Sequence, residues 1–309
     1  LLTSLLLGLT WRHWMEENKA SHNRRQQAFT AAVDRNTYSI RDRMATLAMM
    51  LRGVKGYYGG SESIDREEFQ AYVAALALED TLPGLQAVAY VSRLTPDQRQ
   101  AHEQEIRSQG FGRYTLQPPG ERDYFAPISY IEPLTGRNLK ALGFDISTVP
   151  AVRDALERAR DTGEAALSAA LTLQQDAGRN DSVATVMYLP IYAKPHDPET
   201  VDGRRTALLG WVSAPIRIEE LLHGMARQLD SDIGLRISDL DAPPATALLY
   251  GSQTAGESDL QESRRLEVGG RTWLLSMHAL PRFEQRFENN NQQLNAVLGV
   301  VLSLMAGGL

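Results

Sequence analysis

The chain contains no cysteine, and it has few of the residue patterns that mark an enzyme. Without thiols there can be no disulfide, thiolate metal site or cysteine nucleophile. The six histidines are dispersed, with no pair four residues apart on a helical pattern, which argues against a metal site. The zinc-protease, serine-hydrolase and phosphate-loop motifs are also missing. We therefore expect no catalytic residues, no metal and no cofactor in this segment.

A basic surface is missing as well. The 309 residues include 32 Lys and Arg against 38 Asp and Glu, which gives a net charge of −6. The arginine doublets are scattered and offset by acids, so nucleic acid is not an expected partner. With 43% hydrophobic residues and no low-complexity tract, the chain is typical of a globular protein. Its length suffices for a sizeable core or for two domains.

Neither end of the chain carries a full membrane-spanning run, although both ends are apolar. About 20 apolar residues are needed to cross a bilayer, and the runs at 1–9 and 294–309 are shorter. Trp11 and Trp14 lie where an interfacial aromatic belt would be. A signal peptide is the alternative for the first run, but no small-residue cleavage site follows it.

From these ends we predict a protein anchored in the lipid bilayer on both sides of a soluble domain. Residues 1–15 are expected to end one transmembrane helix, and residues 282–309 to form an exit helix and begin a second. The absence of cysteine suits a periplasmic domain between two spans of the inner membrane, and it suits many cytosolic proteins equally.

Proline is absent from residues 16–58, and glycine occurs there only near the end. Apolar residues recur three or four positions apart, which predicts one amphipathic stalk helix of about 40 residues. Its stripe would pack either against its own domain or against a second copy, as a coiled-coil-like seam in a homodimer. Asn36 lies on the stripe, where it would either set the register of a dimer or face solvent.

Beyond this helix, strand patterns alternate with shorter helices and turns. Strands are expected at 85–94, 111–116, 124–131, 182–193, 206–216, 233–240, 248–251, 265–268 and 272–278. Helices are expected at 65–78, 96–108, 150–163, 218–229 and 282–293. The predicted fold class is α+β, with antiparallel sheets at 59–229 and 230–281 mounted on the stalk helix.

Residues 124–145 gather side chains that suit a small-molecule pocket. Tyr130 and Glu132 share one face of a strand that the following proline must end. The loop beyond the strand adds Asn138, Gly143, Phe144 and Asp145. An apolar wall with a few polar groups is the usual composition of a ligand site. For Asn138 and Asp145 the alternative is that they satisfy backbone hydrogen bonds within the loop.

An ordered series of short motifs over residues 69–222 resembles the CHASE sensory domain family. The matching positions are 82–85, 89–91, 99, 102–103, 110, 130–133, 138, 141–145, 153, 159, 162–163, 189–192, 210–212 and 218–222. The resemblance implies a long stalk helix followed by two PAS-like modules outside the cytoplasmic membrane. It also implies an intracellular output domain, such as a histidine kinase, a diguanylate cyclase or a phosphodiesterase.

The resemblance further implies a ligand site in the membrane-distal module. Plant members bind adenine-type cytokinins there through an acidic side chain on a central strand, and Glu132 is the nearest residue by position. The implied ligand-binding set is Tyr90, Tyr130, Glu132, Gly143, Phe144, Asp145, Leu171, Thr172, Tyr188, Pro190, Trp211 and Ser213. Tyr188 is much bulkier than the small hydroxyl residue of the plant receptors, which argues against an identical ligand.

We therefore expect a ligand-sensing receptor domain in which closure around Glu132 and Tyr188 shifts the stalk helix against its dimer mate. One alternative is an ectodomain that senses a partner protein and has no small-molecule ligand. Another is a hydrolase using Glu132 and Asp145. A Cache or chemotaxis-receptor ectodomain is the nearest alternative among sensors, with a similar stalk and double-PAS layout.

Overall fold

A computed structural model describes residues 2–60, 65–82, 84–174, 183–194, 198–251 and 258–287, together with residues 301 and 305. The α-helices are α1 (Leu2–Gly60), α2 (Arg66–Ala75), α3 (Leu78–Thr81), α4 (Arg99–Ser108), α5 (Pro150–Thr162), α6 (Val201–Ala207), α7 (Ile218–Gly224) and α8 (Pro281–Gln285). The strands are β1 (Val88–Ser92), β2 (Ile128–Glu132), β3 (Ala166–Leu167), β4 (Ala184–Tyr192), β5 (Leu208–Arg217), β6 (Ile233–Asp239), β7 (Leu248–Tyr250), β8 (Gln261–Val268) and β9 (Arg271–Ala279). The α+β class is confirmed.

The stalk is a single uninterrupted helix of 59 residues, longer at its N-terminal end than the predicted stalk. Its buried apolar residues are Phe29, Ala32, Val33, Ile40, Met44, Leu47, Leu51 and Val54. They recur at helical spacing and pack into the core that both sheets share. The stripe thus packs against its own domain, and the homodimer stays a prediction that this stripe no longer supports.

Both predictions for Asn36 were wrong. The side chain is 1% exposed, and its Oδ1 accepts a 2.8 Å hydrogen bond from the backbone N–H of Asp230. The buried Asn36 side chain thus provides the hydrogen-bond acceptor for a backbone N–H in the loop that follows α7. Asn36 therefore fixes the position of the stalk relative to the second half of the chain.

The first sheet is antiparallel, with strand order β2-β1-β5-β4-β3. All nine residues of β4 are buried, as expected for a central strand covered on both faces. One face lies under α5, and the opposite face packs against α1, α2 and α4. Different residues therefore line the two faces of this sheet.

The second sheet is also antiparallel, with order β7-β6-β9-β8. Along β9, buried and half-buried residues alternate, as in a sheet with one face on the core. Phe29 of α1 packs edge-to-face on Phe283 of α8, with 5.8 Å between ring centroids. At the β8–β9 turn, the Gly269 carbonyl accepts a 2.9 Å hydrogen bond from Leu167 N–H in the first sheet. This bond joins the two sheets directly.

Several predicted elements were wrong in detail. Residues 111–116 form turns and irregular backbone rather than a strand, and Gly110 turns the chain there at φ +99°. The predicted helix 218–229 ends at Gly224 and continues as turns. The predicted loop after β4 contains the short helix α6. The predicted exit helix is represented by α8 alone, since residues 288–293 lie outside the described residues.

Within the described parts of the chain, no helix combines the length and the hydropathy required to cross a bilayer. The predicted membrane anchors and the boundaries 59–229 and 230–281 stay predictions.

Candidate functional site

A cavity of about 120 Å³ lies on the α5 face of the first sheet. Its floor comes from β1, β2, β4 and β5, and its walls from residues 144–152 and 171–174. The lining residues are Ala89, Val91, Ile128, Ile131, Phe144, Ile146, Val149, Val152, Leu171, Thr172, Leu173, Gln174, Val186, Tyr188, Ser213 and Pro215. Among the described lining residues, the Tyr188 phenol is the single ionisable group.

The strand register explains why space remains there. Ile131, Ala89, Ser213 and Tyr188 form one row across the sheet, because each is the register partner of the next. In a close-packed interior, neighbouring side chains normally fill the space above such a row. Here the two central positions carry only alanine and serine. The small side chains in the middle leave a hollow between larger ones at the sides.

Two buried hydroxyl groups line this hollow. Tyr188 is 2% exposed and Ser213 is 4% exposed, and neither hydroxyl makes a side-chain hydrogen bond within the described residues. Burial raises the pKa of the Tyr188 phenol far above its usual range, so it remains a neutral donor. Both hydroxyl oxygens keep some accessible surface, since neither is among the fully buried side-chain atoms that lack a partner. They are therefore open to the cavity, where each can donate or accept a hydrogen bond.

Glu132 does not line this cavity. It lies on the opposite face of the sheet, 3% exposed, where its Oε1 is 3.3 Å from Arg66 Nη2. Its Oε2 accepts a 2.9 Å hydrogen bond from Leu134 N–H. Burial raises the pKa of Glu132, although that hydrogen bond and the Arg66 guanidinium act in the other direction. Glu132 thus anchors α2 to β2 and stands apart from Tyr188.

Tyr90 and Tyr130 lie on the same face as Glu132. Their rings are 6.0 Å apart, and Tyr58 of α1 stacks on Tyr90 at 4.8 Å. Phe69 of α2 completes the group beside Tyr130. These rings hold the end of α1 against the sheet.

The other predicted residues build the walls of the fold. Trp211 is buried under α5, and its indole N–H donates a 3.1 Å hydrogen bond to the Leu156 carbonyl; Pro190 is its register partner on β4. The Asp145 carboxylate is fully buried. It accepts from the backbone N–H groups of Ala126 and Ser147 and pairs with Arg122.

Gly143 permits a close approach of two loops. It adopts φ +81°, and a Cβ at this position would lie 2.7 Å from the Thr115 carbonyl oxygen. The structure therefore brings five predicted residues to the cavity, namely Phe144, Leu171, Thr172, Tyr188 and Ser213. Apolar residues that were not predicted also line the cavity, and Ala89 is among them. Ala89 could have been found from the sequence, because it is next to Tyr90 on a strand and its side chain must therefore point to the opposite face.

No group of three or more ionisable ligands that could hold a metal ion occurs within the described ranges.

The long helix α1 packs on both sheets, and the first sheet holds the cavity. The family model for the CHASE domain matches residues 62–250, and the chain belongs to this family. The chain is also 24% identical over 189 residues to the hybrid signal transduction histidine kinase A of Dictyostelium discoideum. That match covers 53% of this chain but 9% of the much longer kinase.

Solved structures with a similar arrangement are sensory domains. The ligand-binding domain of the Pseudomonas aeruginosa PAO1 amino acid chemoreceptor PctC, solved with GABA, is 12% identical with a TM-score of 0.43, covering 82% of this chain and 98% of that one. The extracellular domain of the histidine kinase vpHK1S-Z8 is 8% identical with a TM-score of 0.46, covering 88% and 99%.

Proposed function

We propose that this domain senses a small, uncharged molecule bound in the cavity on the α5 face of the first sheet. The observation that carries the proposal is that the Tyr188 and Ser213 side chains line one cavity and that neither hydroxyl makes a side-chain hydrogen bond within the described residues. A ligand with one or two hydrogen-bonding atoms would satisfy them, and the apolar lining would take up the rest of its surface. A charged ligand would be desolvated there without a countercharge.

The cavity is smaller than a typical ligand pocket, which measures roughly 300–1,000 Å³. A ligand is therefore a compact molecule, or one that moves the exposed Thr172 and Gln174 side chains aside. A neutral purine meets the chemical requirement, since its edge offers donors and acceptors. It would bond to Tyr188 and Ser213 rather than to Glu132, which faces the other side of the sheet.

The proposed receptor places this domain in the periplasm, between two transmembrane helices of an inner-membrane protein. The order of the first sheet and the long helix that serves both sheets support two PAS-like modules on one stalk. The relative named as a histidine kinase supports an intracellular kinase output, and a cyclic-di-GMP enzyme is the alternative. Ligand binding would act on the stalk only through a difference in affinity between two arrangements.

The experiment is native mass spectrometry of the purified chain, followed by thermal shift with adenine and other small neutral metabolites. The expected result is a retained mass, or a rise in Tm, that is lost in Tyr188→Phe and in Ser213→Ala. Tyr38→Phe and Ser108→Ala are the matched controls, because both side chains are exposed and far from the cavity.

A protein that carries no retained mass and whose Tm changes with none of the tested metabolites would contradict the proposal. It would favour an ectodomain that senses a partner protein. A melting shift that survives both hydroxyl deletions would show that the ligand binds elsewhere.

A further inference from the structure

A second, larger cavity lies on the other face of the same sheet, between the sheet, α1 and α4. Its volume is about 420 Å³. The lining residues are Tyr58, Tyr90, Ser92, His102, Glu105, Ile106, Ser129, Tyr130, Ile191, Tyr192, Ala193, Lys194 and Leu209. Unlike the cavity under α5, it includes a residue of the stalk, Tyr58.

The walls of this cavity are aromatic and aliphatic. Tyr58, Tyr90 and Tyr130 form a continuous stack, and Ile106 and Ile191 lie in the apolar core beside them. Planar rings gain additional stabilisation beside other rings in offset or tilted arrangements. Such walls suit the ring of an aromatic guest.

The interior polar groups are neutral hydroxyls and one imidazole. Ser92 and Ser129 lie 2.7 Å apart at Oγ, and His102 Nε2 lies 3.3 Å from Ser129 Oγ and 3.0 Å from the Tyr114 hydroxyl. Burial lowers the pKa of His102 to about 4, so the imidazole is neutral near pH 7.

Within the described residues, one interior polar atom is left without a partner. The hydroxyl oxygen of Tyr58 is inaccessible to solvent and makes no hydrogen bond there. An unmade bond at a buried hydroxyl costs free energy. Because this oxygen is not accessible from the cavity, Tyr58 contributes its ring and not its hydroxyl to the wall.

Two unpaired charges of opposite sign stand at the mouth. Glu105 and Lys194 are both exposed, and neither forms an ion pair with another described residue. By contrast, Glu103 on the same helix pairs with Arg99 and with Arg107. The open carboxylate and the open ammonium therefore offer one site for a cation and one for an anion.

From these features we infer that the cavity binds a free amino acid with an aromatic side chain. The ring of the ligand enters between the tyrosines and the isoleucines. The ammonium group of the ligand faces Glu105, and its carboxylate faces Lys194. This site is independent of the one proposed under α5, because it lies across the sheet from it.

The test is calorimetric titration of the chain with L-tyrosine and three truncated probes. Tyramine lacks the carboxylate, 3-(4-hydroxyphenyl)propionate lacks the ammonium group, and p-cresol lacks both. L-Tyrosine should bind most tightly, and each single deletion should weaken binding up to about fivefold, because contacts with exposed charges are modest. Glu105→Gln should remove the preference over the acid, and Lys194→Gln the preference over the amine.

Three more variants test the position of the ring. Tyr58→Phe keeps the ring and should leave L-tyrosine binding unchanged, whereas Tyr58→Ala removes an aromatic wall and should weaken binding at least several-fold. Leu209→Trp should block the mouth, since Leu209 is 48% exposed and a larger side chain there leaves the core intact. Tyr38→Phe and Glu67→Gln, both exposed and outside the cavity, are the controls. Circular dichroism and Tm confirm that each variant is folded.

Equal affinity for the zwitterion, the amine and the acid would overturn the assignment of the charges. L-Tyrosine binding that is undiminished in Leu209→Trp, or no binding of any probe to the folded chain, would overturn the site itself.

Discussion

Tyr188 and Ser213 are register partners on the two central strands β4 and β5, and both hydroxyls line one cavity. Glu132 belongs to the same sheet but lies on its other face, paired with Arg66. Because side chains alternate along a strand, an even difference in position preserves the face and an odd one reverses it. The ligand site predicted as one group is therefore divided between two sides of the sheet.

The cavity under α5 should accommodate a larger side chain at its floor without loss of stability. Ala89 lies in the row between Ile131 and Ser213 and lines the cavity. We expect Ala89→Leu to fold with a free energy of unfolding within about 1 kcal/mol of the parent, since the added carbons enter empty volume. The same change should abolish the ligand-dependent Tm shift.

Ala87 provides the matched comparison for Ala89. It is fully buried on the same sheet face but does not line the cavity. Overpacking a filled site costs about 1–3 kcal/mol, so Ala87→Leu should be clearly less stable than Ala89→Leu in urea titrations. Equal losses in the two variants would mean that the space beside Ala89 is already filled.

The sequence predicted those secondary-structure elements whose apolar residues recur at regular spacing or whose ends carry capping or turn residues. The apolar stripe predicted the stalk. The helix expected at 65–78 corresponds to α2, which Asp65 caps in a complete capping box with Glu68. Gly269 and Gly270 form the turn between the two strands expected at 265–268 and 272–278.

Tertiary relationships were not accessible in the same way. Whether Glu132 and Tyr188 meet depends on the register of β1, β2, β4 and β5, which pair over separations of many residues. Asn36 shows the same limit, because its partner is the backbone of Asp230, far along the chain. The short segment 111–116 was expected as a strand but forms no ladder, since tertiary packing and not propensity decides strand formation there.

The stability of the domain should depend on pH through His102. Its pKa is lowered to about 4 by burial, against an ordinary value near 6.5. The unfolded chain therefore binds more protons than the native state between these values. The stabilisation is complete above about pH 6.5 and is lost as the pH falls through 4, by about 3 kcal/mol in total.

His102→Gln isolates this effect, because it removes the titrating group and keeps a hydrogen-bonding side chain. Urea unfolding of parent and variant is measured from pH 7 to pH 4. As the pH falls from 7 to 4, the parent should lose about 2–3 kcal/mol more of its free energy of unfolding than His102→Gln loses. A difference that does not change with pH would rule out a buried neutral imidazole.

Two neighbouring residues of α1 contact Asp230, one through a buried side chain and one through an exposed side chain. Asn36 accepts its backbone N–H inside the core, whereas Arg35, 64% exposed, approaches its carboxylate at 3.6 Å. We expect Asn36→Ala to cost about 1–3 kcal/mol because a buried N–H loses its partner. Arg35→Ala should cost less than about 1 kcal/mol. Chemical denaturation measures both, and the reverse order would mean that the stalk is held by surface charge.

The junction between the two sheets depends on the backbone of one glycine. Gly269 and Gly270 both have positive φ, +53° and +73°, so alanine at either position costs roughly 1–2 kcal/mol from the backbone alone. A Cβ at Gly269 would lie 2.7 Å from Leu167 N, whereas at Gly270 it would meet only the Arg158 side chain at 3.1 Å. Gly269→Ala must therefore displace the strand to which its carbonyl is bonded.

We expect Gly269→Ala to be less stable than Gly270→Ala by about 1–3 kcal/mol, because backbone yields less readily than a flexible side chain. Hydrogen exchange at the Leu167 amide gives the local measurement, since this amide donates to the Gly269 carbonyl. Its protection should fall in Gly269→Ala and persist in Gly270→Ala. Equal protection in both variants would show that the sheets are held together elsewhere, through α1, and that the hairpin contact is dispensable.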